Sequence, residues 1–283
     1  MQILYNEDCF ERLKQIEDGS INLILSDPPY AIGFDASNHM ESDDWDKMSS
    51  EGYINLMTHY LTESKRVLAE NGSCWIFFAP SMLKELIVAI NNSGLIPHFD
   101  QWKSICRQKG RGAKYKLKSQ REDFILLTKS NDFILKHENN LFKYDENITN
   151  ILNYYTGKVE RPEFKFDDVI YNFKMPYYLS KTEKQIHSCQ KSILLLYALI
   201  MNSSNKGDVV FDGFVGSGSC AIAAGLAERE FIGTELDEGM YEKAKSWIFS
   251  FNYNEYRKTF LSCGNSLPTF GKIKIKRGKN SGI

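Results

Sequence analysis

The sequence contains no long hydrophobic stretch of the kind that a membrane protein carries, and its first residues do not have the pattern of a secretory leader. No apolar run reaches the ~18–20 residues that a membrane span needs. The first ten residues, MQILYNEDCF, carry acids where a signal peptide carries bases followed by a long apolar stretch. These absences predict a cytoplasmic protein without a membrane partner.

Patterns that hold metals or disulfides are also missing. The six cysteines are scattered and form no CxxC pair, and the five histidines form no HxxxH or HExxH. A zinc site or a disulfide framework needs closer pairing or a secretory context. We therefore predict no structural metal.

The composition is that of a folded protein that carries two basic segments. With 283 residues, 42% hydrophobic and 25% charged, the chain is long enough for one large or two small domains, and it is not a disordered, collagen-like or coiled-coil chain. The net charge of −1 conceals a basic segment at 103–121 with eight Lys/Arg and another at 272–279 with five, neither containing an acid. An acidic body with two basic segments favours a polyanionic partner.

Alternating strand and helix patterns predict an α/β fold. Apolar strand patterns occur at 2–5, 21–25, 74–78, 101–106, 124–128, 209–212 and 231–235, and helical spacing occurs at 53–68, 81–91, 191–202, 221–227 and 241–251. This alternation indicates a parallel sheet with helices on both faces. Residues 130–184 contain eleven aromatics and little periodicity, and we predict a separate irregular module there.

A glycine-rich turn follows the strand pattern at 209–212. It reads DGFVGSGS from Asp212, and its glycines allow the backbone to approach a ligand closely. Glu235 follows 23 residues after Asp212, at the end of the next strand, a spacing that suits a carboxylate binding ribose hydroxyls. The turn is neither GxGxxG nor GxxxxGK[ST], so a plain tight turn is the alternative.

The tetrapeptide Asp27-Pro28-Pro29-Tyr30 directly follows the strand pattern at 21–25. It therefore lies at the carboxyl end of a strand, where open α/β sheets bind ligands. The prolines fix the backbone, so that the Asp27 carboxylate and the Pro28 carbonyl can point at one spot beside the flat face of Tyr30. Two acceptors and a stacking ring suit the exocyclic amine of an aromatic base. A strand-ending turn with a stray aromatic is the alternative.

Together, this DPPY tetrapeptide and the later glycine-rich turn resemble the motifs of the β class of DNA amino-methyltransferases. The turn contains the FxGxG pattern of that family in Phe214, Gly216 and Gly218. Other segments are similar to family landmarks: Asn6-Glu7-Asp8-Cys9, Asp44-Trp45-Asp46, Arg66-Val67-Leu68, Asn71-Gly72-Ser73, and His187-Ser188-Cys189-Gln190-Lys191-Ser192, which resembles HPxQKP. The likeness covers roughly 1–129 and 185–251. Both prolines of HPxQKP are serines here, and Gly213 stands where the family's DPFxGSGT has proline.

The resemblance implies an α/β fold, the Rossmann-like sheet of S-adenosylmethionine-dependent methyltransferases, circularly permuted and with an inserted target recognition module. Strand 209–212 would be central, with 231–235 and 2–5 on one side, 21–25 and 74–78 on the other, and 101–106 and 124–128 as an antiparallel edge pair. The implied division is a catalytic half at 1–129 with a DNA-facing loop at 107–121, the recognition module at 130–184, a cofactor half at 185–262, and a basic tail at 263–283.

It also implies the function: methyl transfer from S-adenosylmethionine to N6 of an adenine flipped out of a short, specific double-stranded DNA site. The implied catalytic residues are Asp27, Pro28, Pro29 and Tyr30. The implied cofactor-binding residues are Asp8, Cys9, His187, Lys191, Asp212, Phe214, Gly216, Ser217, Gly218 and Glu235. The candidate DNA-binding residues are Arg107, Lys109, Arg111, Lys114, Tyr115, Lys116, Lys118 and Arg121, with Lys103 in the same basic segment. The acidic stretch 41–46 is expected to be a mobile loop over the site.

Other functions stay open at this point. Asp27 favours adenine, because cytosine-N4 enzymes more often carry serine there, and cytosine-N4 methylation is the nearest alternative. Cytosine-C5 methylation is disfavoured because the chain has no Pro-Cys dipeptide. Enzymes that modify RNA or protein glutamine are less favoured as an alternative, because they more often carry asparagine at the position of Asp27. A noncatalytic DNA-binding relative is the alternative from another class. By analogy, a cognate restriction endonuclease and a homodimer are candidate partners.

Overall fold

A computed structural model describes residues 1–32, 46–111, 119–136, 169–170, 186–187 and 189–260, with the backbone alone at 106–111, 119–120, 169–170 and 258–260. The strands within these ranges are β1 Gln2–Asn6, β2 Ile21–Ser26, β3 Leu68–Phe78, β4 Ile96–Arg111, β5 Ser119–Thr128, β6 Val169–Ile170, β7 Val209–Asp212 and β8 Glu230–Glu235. The α-helices are α1 Cys9–Leu13, α2 Ser50–Val67, α3 Leu83–Ser93, α4 Ile193–Ser203, α5 Ser219–Leu226, α6 Glu238–Ser250 and α7 Tyr253–Phe260, and a 3₁₀ turn spans Pro80–Met82.

The strands form one sheet in the order β1-β8-β7-β2-β3-β5-β4-β6. The five strands from β1 to β3 pair in parallel, whereas β5 runs antiparallel to both β3 and β4. The predicted neighbours are confirmed: β7 has β8 and β1 on one side and β2 and β3 on the other, with β4 and β5 as an antiparallel pair beyond.

Hydrophobic side chains fill both faces of the sheet, as the continuous apolar run of β2 predicts. Leu23 and Leu25 point into the cluster that contains α4 and α5, while Ile21 and Ile24 point into the cluster that contains α2 and α3. Ten of the eleven residues of α4 are buried, which explains why this helix has no polar face. The sheet is therefore covered by helices on both sides, as predicted.

The antiparallel strands β4 and β5 are longer than their apolar patterns indicate. Pairing between β4 and β5 continues through Cys106↔Arg121 to Arg111↔Ser119. Positions 107, 109, 111 and 121 therefore lie on strand backbone, and the prediction of a loop over 107–121 is wrong for them. The sequence pattern did not indicate this extension, because its residues are polar. An antiparallel pair of strands is held by main-chain hydrogen bonds and tolerates polar side chains on one face. The short elements α1 and β6 and the terminal helix α7 were not predicted either.

The predicted recognition module begins in contact with the main sheet. The ring of Phe133 lies 4.4 Å from that of His98, and the backbone N–H of Lys136 donates to the carbonyl of Asn202 at 2.7 Å. Val169 pairs with Ser104 of β4. The rest of 130–184 and the tail 263–283 lie outside the described residues. None of the helices in the described ranges combines the length and apolar character of a membrane span.

Candidate active site

Four strand ends bring the predicted motifs together at one edge of the sheet. The strands β1, β8, β7 and β2 are consecutive parallel neighbours, so their carboxyl ends lie side by side. Glu7 and Asp8 follow β1, Glu235 ends β8, the glycine loop follows β7, and the DPPY motif follows β2. This edge is where open α/β sheets bind ligands.

The carboxylate of Asp27 lies in a cluster with Tyr30, Lys191 and Glu122. Asp27 Oδ1 accepts a hydrogen bond from the hydroxyl of Tyr30, and Oδ2 accepts one from Lys191 Nζ. Lys191 Nζ also lies 2.8 Å from Glu122 Oε1, and the Tyr30 hydroxyl lies 3.2 Å from that same oxygen. Lys191 and Glu122 are each 10% exposed and Asp27 is 24% exposed. Two carboxylates therefore share one ammonium group in a largely buried site.

The electrostatics of this cluster keep Lys191 charged. Burial would lower the pKa of Lys191, but the attraction of Asp27 and Glu122 outweighs it and raises that pKa above its ordinary value. Burial raises the pKa of Asp27, and the attraction of Lys191 offsets only part of this effect. With both carboxylates ionised the cluster carries a net negative charge, so it favours N–H donors and positive charge.

Asp46 holds the backbone just after the DPPY motif. Its carboxylate accepts hydrogen bonds from the N–H groups of Tyr30 and Ala31, each at 2.7 Å, and of Ile32 at 3.2 Å. The residue is 1% exposed. The expectation that 41–46 forms a mobile loop is therefore wrong for Asp46, because a buried carboxylate with three backbone donors is firmly anchored. Residues 41–45 lie outside the described residues.

The glycine loop is bonded to the end of β8. Gly216 has φ 52° and Gly218 has φ 89°, a left-handed conformation that glycine adopts readily. The N–H of Gly216 donates to Glu235 Oε2 at 2.8 Å, and the N–H of Asp237 donates to Oε1 at 3.0 Å. Burial raises the pKa of Glu235. The next residue, Leu236, is 70% exposed, so an acid and an apolar side chain stand side by side at this strand end.

Asp212 and Gly213 begin the same loop in tight packing. The N–H of Phe214 donates to Asp212 Oδ1 at 3.0 Å, and burial raises the pKa of Asp212 to about 7. A Cβ on Gly213 would lie 2.8 Å from a ring carbon of Tyr60, which is fully buried. The N–H of Gly213 donates to Ser26 Oγ at 3.3 Å, and Ser26 Oγ lies 2.7 Å from the Tyr60 hydroxyl. Tyr60 thus fills the space that the family's proline would need.

The remaining predicted cofactor residues differ in what their side chains offer. Asp8 caps α1 by accepting a hydrogen bond from Phe10 N–H at 2.8 Å. Cys9 is buried in the core, where burial raises its pKa to about 12, so its side chain serves packing. His187 Nδ1 accepts from the N–H of Cys189 at 3.3 Å in the turn before α4. The amino group of Lys191, a residue that the resemblance assigns to the cofactor, lies on the carboxylate of Asp27.

The basic segment is only partly described. Arg121 is 54% exposed and lies 3.1 Å from Asp123. Lys103 is 8% exposed and donates to the carbonyl of Asp100 at 3.3 Å, so its grouping with surface phosphate contacts is wrong. The backbones of Arg107, Lys109 and Arg111 belong to β4. Lys114, Tyr115, Lys116 and Lys118 lie outside the described residues.

Sequence reasoning missed Glu122. This residue lies near the start of β5, which is antiparallel to β3, so the beginning of β5 meets the same sheet edge as the end of β2. The pairing of Phe78 with Asp123 fixes that register. The only signal in the sequence is an acid directly after a long basic segment, and the strand register is needed to show that it faces Asp27.

Comparisons with known proteins match this architecture. A family profile described as DNA methylase matches residues 21–246, which include both the DPPY motif and the glycine loop. The type II methyltransferase M.HpaI of Haemophilus parainfluenzae is 27% identical over 268 residues, which cover 94% of this chain and 81% of that protein.

Two solved structures share the fold. The M1.HpyAVI–SAM complex superposes with a TM-score of 0.58 at 20% identity, over 88% of this chain and 99% of that one. The PvuII DNA methyltransferase, described as cytosine-N4-specific, superposes with a TM-score of 0.63 at 14% identity, over 90% of each chain. The described sheet and helices thus have the fold of these methyltransferases.

Proposed function

The chain belongs to the DNA methylase family, and from that premise we propose that it transfers the methyl group of S-adenosylmethionine to the N6 amine of an adenine flipped out of double-stranded DNA. The observation that carries the proposal is the Asp27 carboxylate, which lies beside Tyr30 at the carboxyl end of β2 and already accepts N–H and O–H donors. An acceptor of this kind, next to the glycine loop, suits an amine that must be held while it attacks a methyl donor.

The ends of β7 and β8 fit S-adenosylmethionine. Glu235 supplies a half-buried carboxylate for ribose hydroxyls, and the exposed Leu236 beside it supplies apolar surface for the adenine ring. The left-handed Gly216 and Gly218 present backbone without side chains to the same space. When bound, the cofactor supplies an electrophilic methyl group. The residues present therefore fit the cofactor.

Asp27 and the carbonyl of Pro28 accept the two hydrogens of the adenine amine in this mechanism. The lone pair of an aromatic amine is delocalised into its ring, so the free amine is a poor nucleophile. Two acceptors on its hydrogens favour a pyramidal nitrogen with the lone pair on one side. Tyr30 stacks on the base and fixes the direction of attack, so orientation and electrostatics supply the catalysis.

Lys191 occupies the acceptor oxygen of Asp27 that the substrate amine would use. It donates to Asp27 Oδ2, which is the role required of the amine. Glu122 offers the same ammonium group a second carboxylate at 2.8 Å. Lys191 can therefore release Asp27 without becoming an unpaired buried charge, which would be strongly unfavourable.

The cluster also stabilises the charge that develops during transfer. As the new N–C bond forms, the methyl carbon's bond to the sulfonium sulfur breaks and positive charge passes to the amine nitrogen, which then gives its extra proton to solvent. The nearby carboxylates of Asp27 and Glu122 favour that charge in a site that is mostly shielded from water. The site needs no covalent enzyme intermediate for this step.

The choice of adenine rests on Asp27 at the first position of the motif. Cytosine-N4 methylation is the second candidate, because the fold is shared with the cytosine-N4-specific PvuII enzyme and the cluster accepts an exocyclic amine of either base. The basic residues of 107–121 are proposed to contact DNA phosphates, and 130–184 to recognise the site. A cognate endonuclease and a second copy of the chain are proposed partners.

Transfer of tritium from labelled S-adenosylmethionine to unmethylated genomic DNA tests the proposal. The product is digested to nucleosides and the labelled nucleoside is identified by chromatography. We expect label in N6-methyladenine with the wild type and no label with Asp27→Ala, which should still bind the cofactor. The matched control Asp208→Ala removes a carboxylate from the turn before β7 and should remain active. Label in N4-methylcytosine would overturn the base, and no label despite cofactor binding would overturn DNA as substrate.

A further inference from the structure

The segment that leaves the DPPY motif is fixed by one buried carboxylate. Asp46 Oδ1 accepts hydrogen bonds from the N–H groups of both Tyr30 and Ala31, and Oδ2 accepts one from Ile32. Three successive peptide N–H groups therefore converge on one anion, an arrangement that resembles the backbone concavities that bind anions. Here the anion belongs to the chain itself, and it is 1% exposed.

The middle residue of this segment has an unfavourable backbone conformation. Ala31 has φ 54°, in the left-handed region that residues with a Cβ seldom adopt. Such a conformation persists only where the surroundings impose it. The described interactions that hold it here are the hydrogen bonds that the Asp46 carboxylate accepts from the N–H groups of Ala31 and of both its neighbours.

Tyr30 is consequently held at both of its ends. Its backbone N–H is bonded to Asp46 and its hydroxyl to Asp27, so the ring is fixed between two carboxylates that come from different segments. Without Asp46, Ala31 can relax toward negative φ. That rotation would displace the backbone of Tyr30 relative to Asp27.

We propose that Asp46 is a positioning residue, which holds Ala31 in the left-handed conformation and thereby sets the orientation of Tyr30 against the target base. This inference rests on the proposed function, because it assigns Tyr30 to the reacting base. Asp46 acts through the backbone and touches neither substrate nor cofactor.

Substitutions at Asp46 should lower turnover without affecting cofactor binding. A displacement of about 1 Å at a reacting group can lower the rate about a hundredfold, and we expect a loss of that order in kcat for Asp46→Ala at saturating DNA and cofactor. The dissociation constant for S-adenosylmethionine should not change. Asp46→Asn should lose less, because its amide oxygen still accepts from Tyr30 and Ala31 while its NH₂ faces the N–H of Ile32.

A second substitution separates positioning from general stability. Glycine adopts positive φ readily, so Ala31→Gly should leave the wild-type kcat nearly unchanged and should restore part of the kcat lost in Asp46→Ala. Asp208→Ala is the matched control, because Asp208 also accepts a backbone N–H, from Asn205 at 2.7 Å, but at the opposite end of β7. It should lower Tm without lowering kcat below Tm.

Hydrogen exchange over residues 27–32 tests the anchoring independently of activity. We expect the amides of Tyr30 and Ala31 to be protected in the wild type and in Asp208→Ala, and to exchange quickly in Asp46→Ala. Unchanged protection in Asp46→Ala would overturn the inference, and so would a wild-type kcat in that variant. Protection that disappears only in Asp46→Ala, with no methyl transfer by the wild type, would support the anchoring and refute the proposed function instead.

Discussion

Replacement of Lys191 by methionine perturbs the cluster around Asp27 most selectively. Methionine is similar in length and flexible, but it has neither charge nor donor. The variant leaves the carboxylates of Asp27 and Glu122 facing the same space without the ammonium group that now joins them. The destabilisation and its dependence on pH can both be worked out from this arrangement.

The magnitude follows from the distance and the burial. At 2.8 Å and an effective dielectric constant of about 20, the attraction between Lys191 and Glu122 is about 6 kcal/mol. Removing one partner of a buried ion pair typically lowers the free energy of unfolding by about 3–5 kcal/mol. The two remaining acids can instead bind a proton, which limits the loss as the pH falls. We therefore expect Lys191→Met to be destabilised more at pH 8 than at pH 6.

The pH dependence of kcat should change as well. Asp27 accepts hydrogen bonds from the amine when it is ionised, and loss of Lys191 removes a positive charge that lowers the pKa of Asp27. The acid limb of kcat against pH should therefore move to higher pH, while cofactor affinity measured by calorimetry stays the same. Lys206→Met, which breaks a surface pair with Glu228, is the control that should alter neither. Loss of cofactor binding with an unmoved acid limb would refute the reasoning and return Lys191 to the cofactor pocket.

The glycine loop and strand β4 yield three further predictions. Gly213→Ala should lower the free energy of unfolding by about 1–3 kcal/mol, because its Cβ would be overpacked against Tyr60, and by less in a Tyr60→Leu background; equal decreases in both denaturation series would contradict this packing. Asp212, with its pKa raised to about 7, contributes stability below about pH 4 that is lost as the pH rises to about 7. Asp212→Asn should therefore gain in Tm relative to the wild type across that range, and a constant difference would contradict the pKa. Neutralising the three bases at 107, 109 and 111 should weaken DNA binding. The slope of log K against log salt concentration should become shallower by about 0.9 for each phosphate that these bases neutralise. Binding titrations at several salt concentrations measure this slope, and an unchanged slope would argue against phosphate binding by this segment.

Much of the fold could be predicted because it depends on local patterns. The buried run of β2 and the all-apolar α4 have signatures that survive without tertiary information, and the predicted neighbours of β7 are confirmed. The polar extensions of β4 and β5 could not be predicted, because main-chain pairing holds them together and leaves no pattern in the side chains.

The site was predictable in its motifs and not in the contacts between distant residues. Asp27, Tyr30, Gly216 and Glu235 lie where strand ends were expected to place them. The link of Lys191 to Asp27 joins residues 164 positions apart, and only the folded sheet reveals it. The burial of Asp46 could not be predicted, because the acidic composition of the residues before it indicates a solvated loop. The three backbone N–H groups that donate to its carboxylate are visible only in the structure.

The most direct measurement of the proposed activity is nucleoside mass spectrometry on DNA from a host that lacks adenine methylation and expresses this protein. We predict N6-methyladenine in cells with the wild type, none with Asp27→Ala, and wild-type levels with Asp208→Ala at equal expression. N6-methyladenine at wild-type level in the Asp27→Ala cells would contradict the catalytic role of Asp27. Its absence from cells that contain folded wild-type protein would contradict adenine methylation itself.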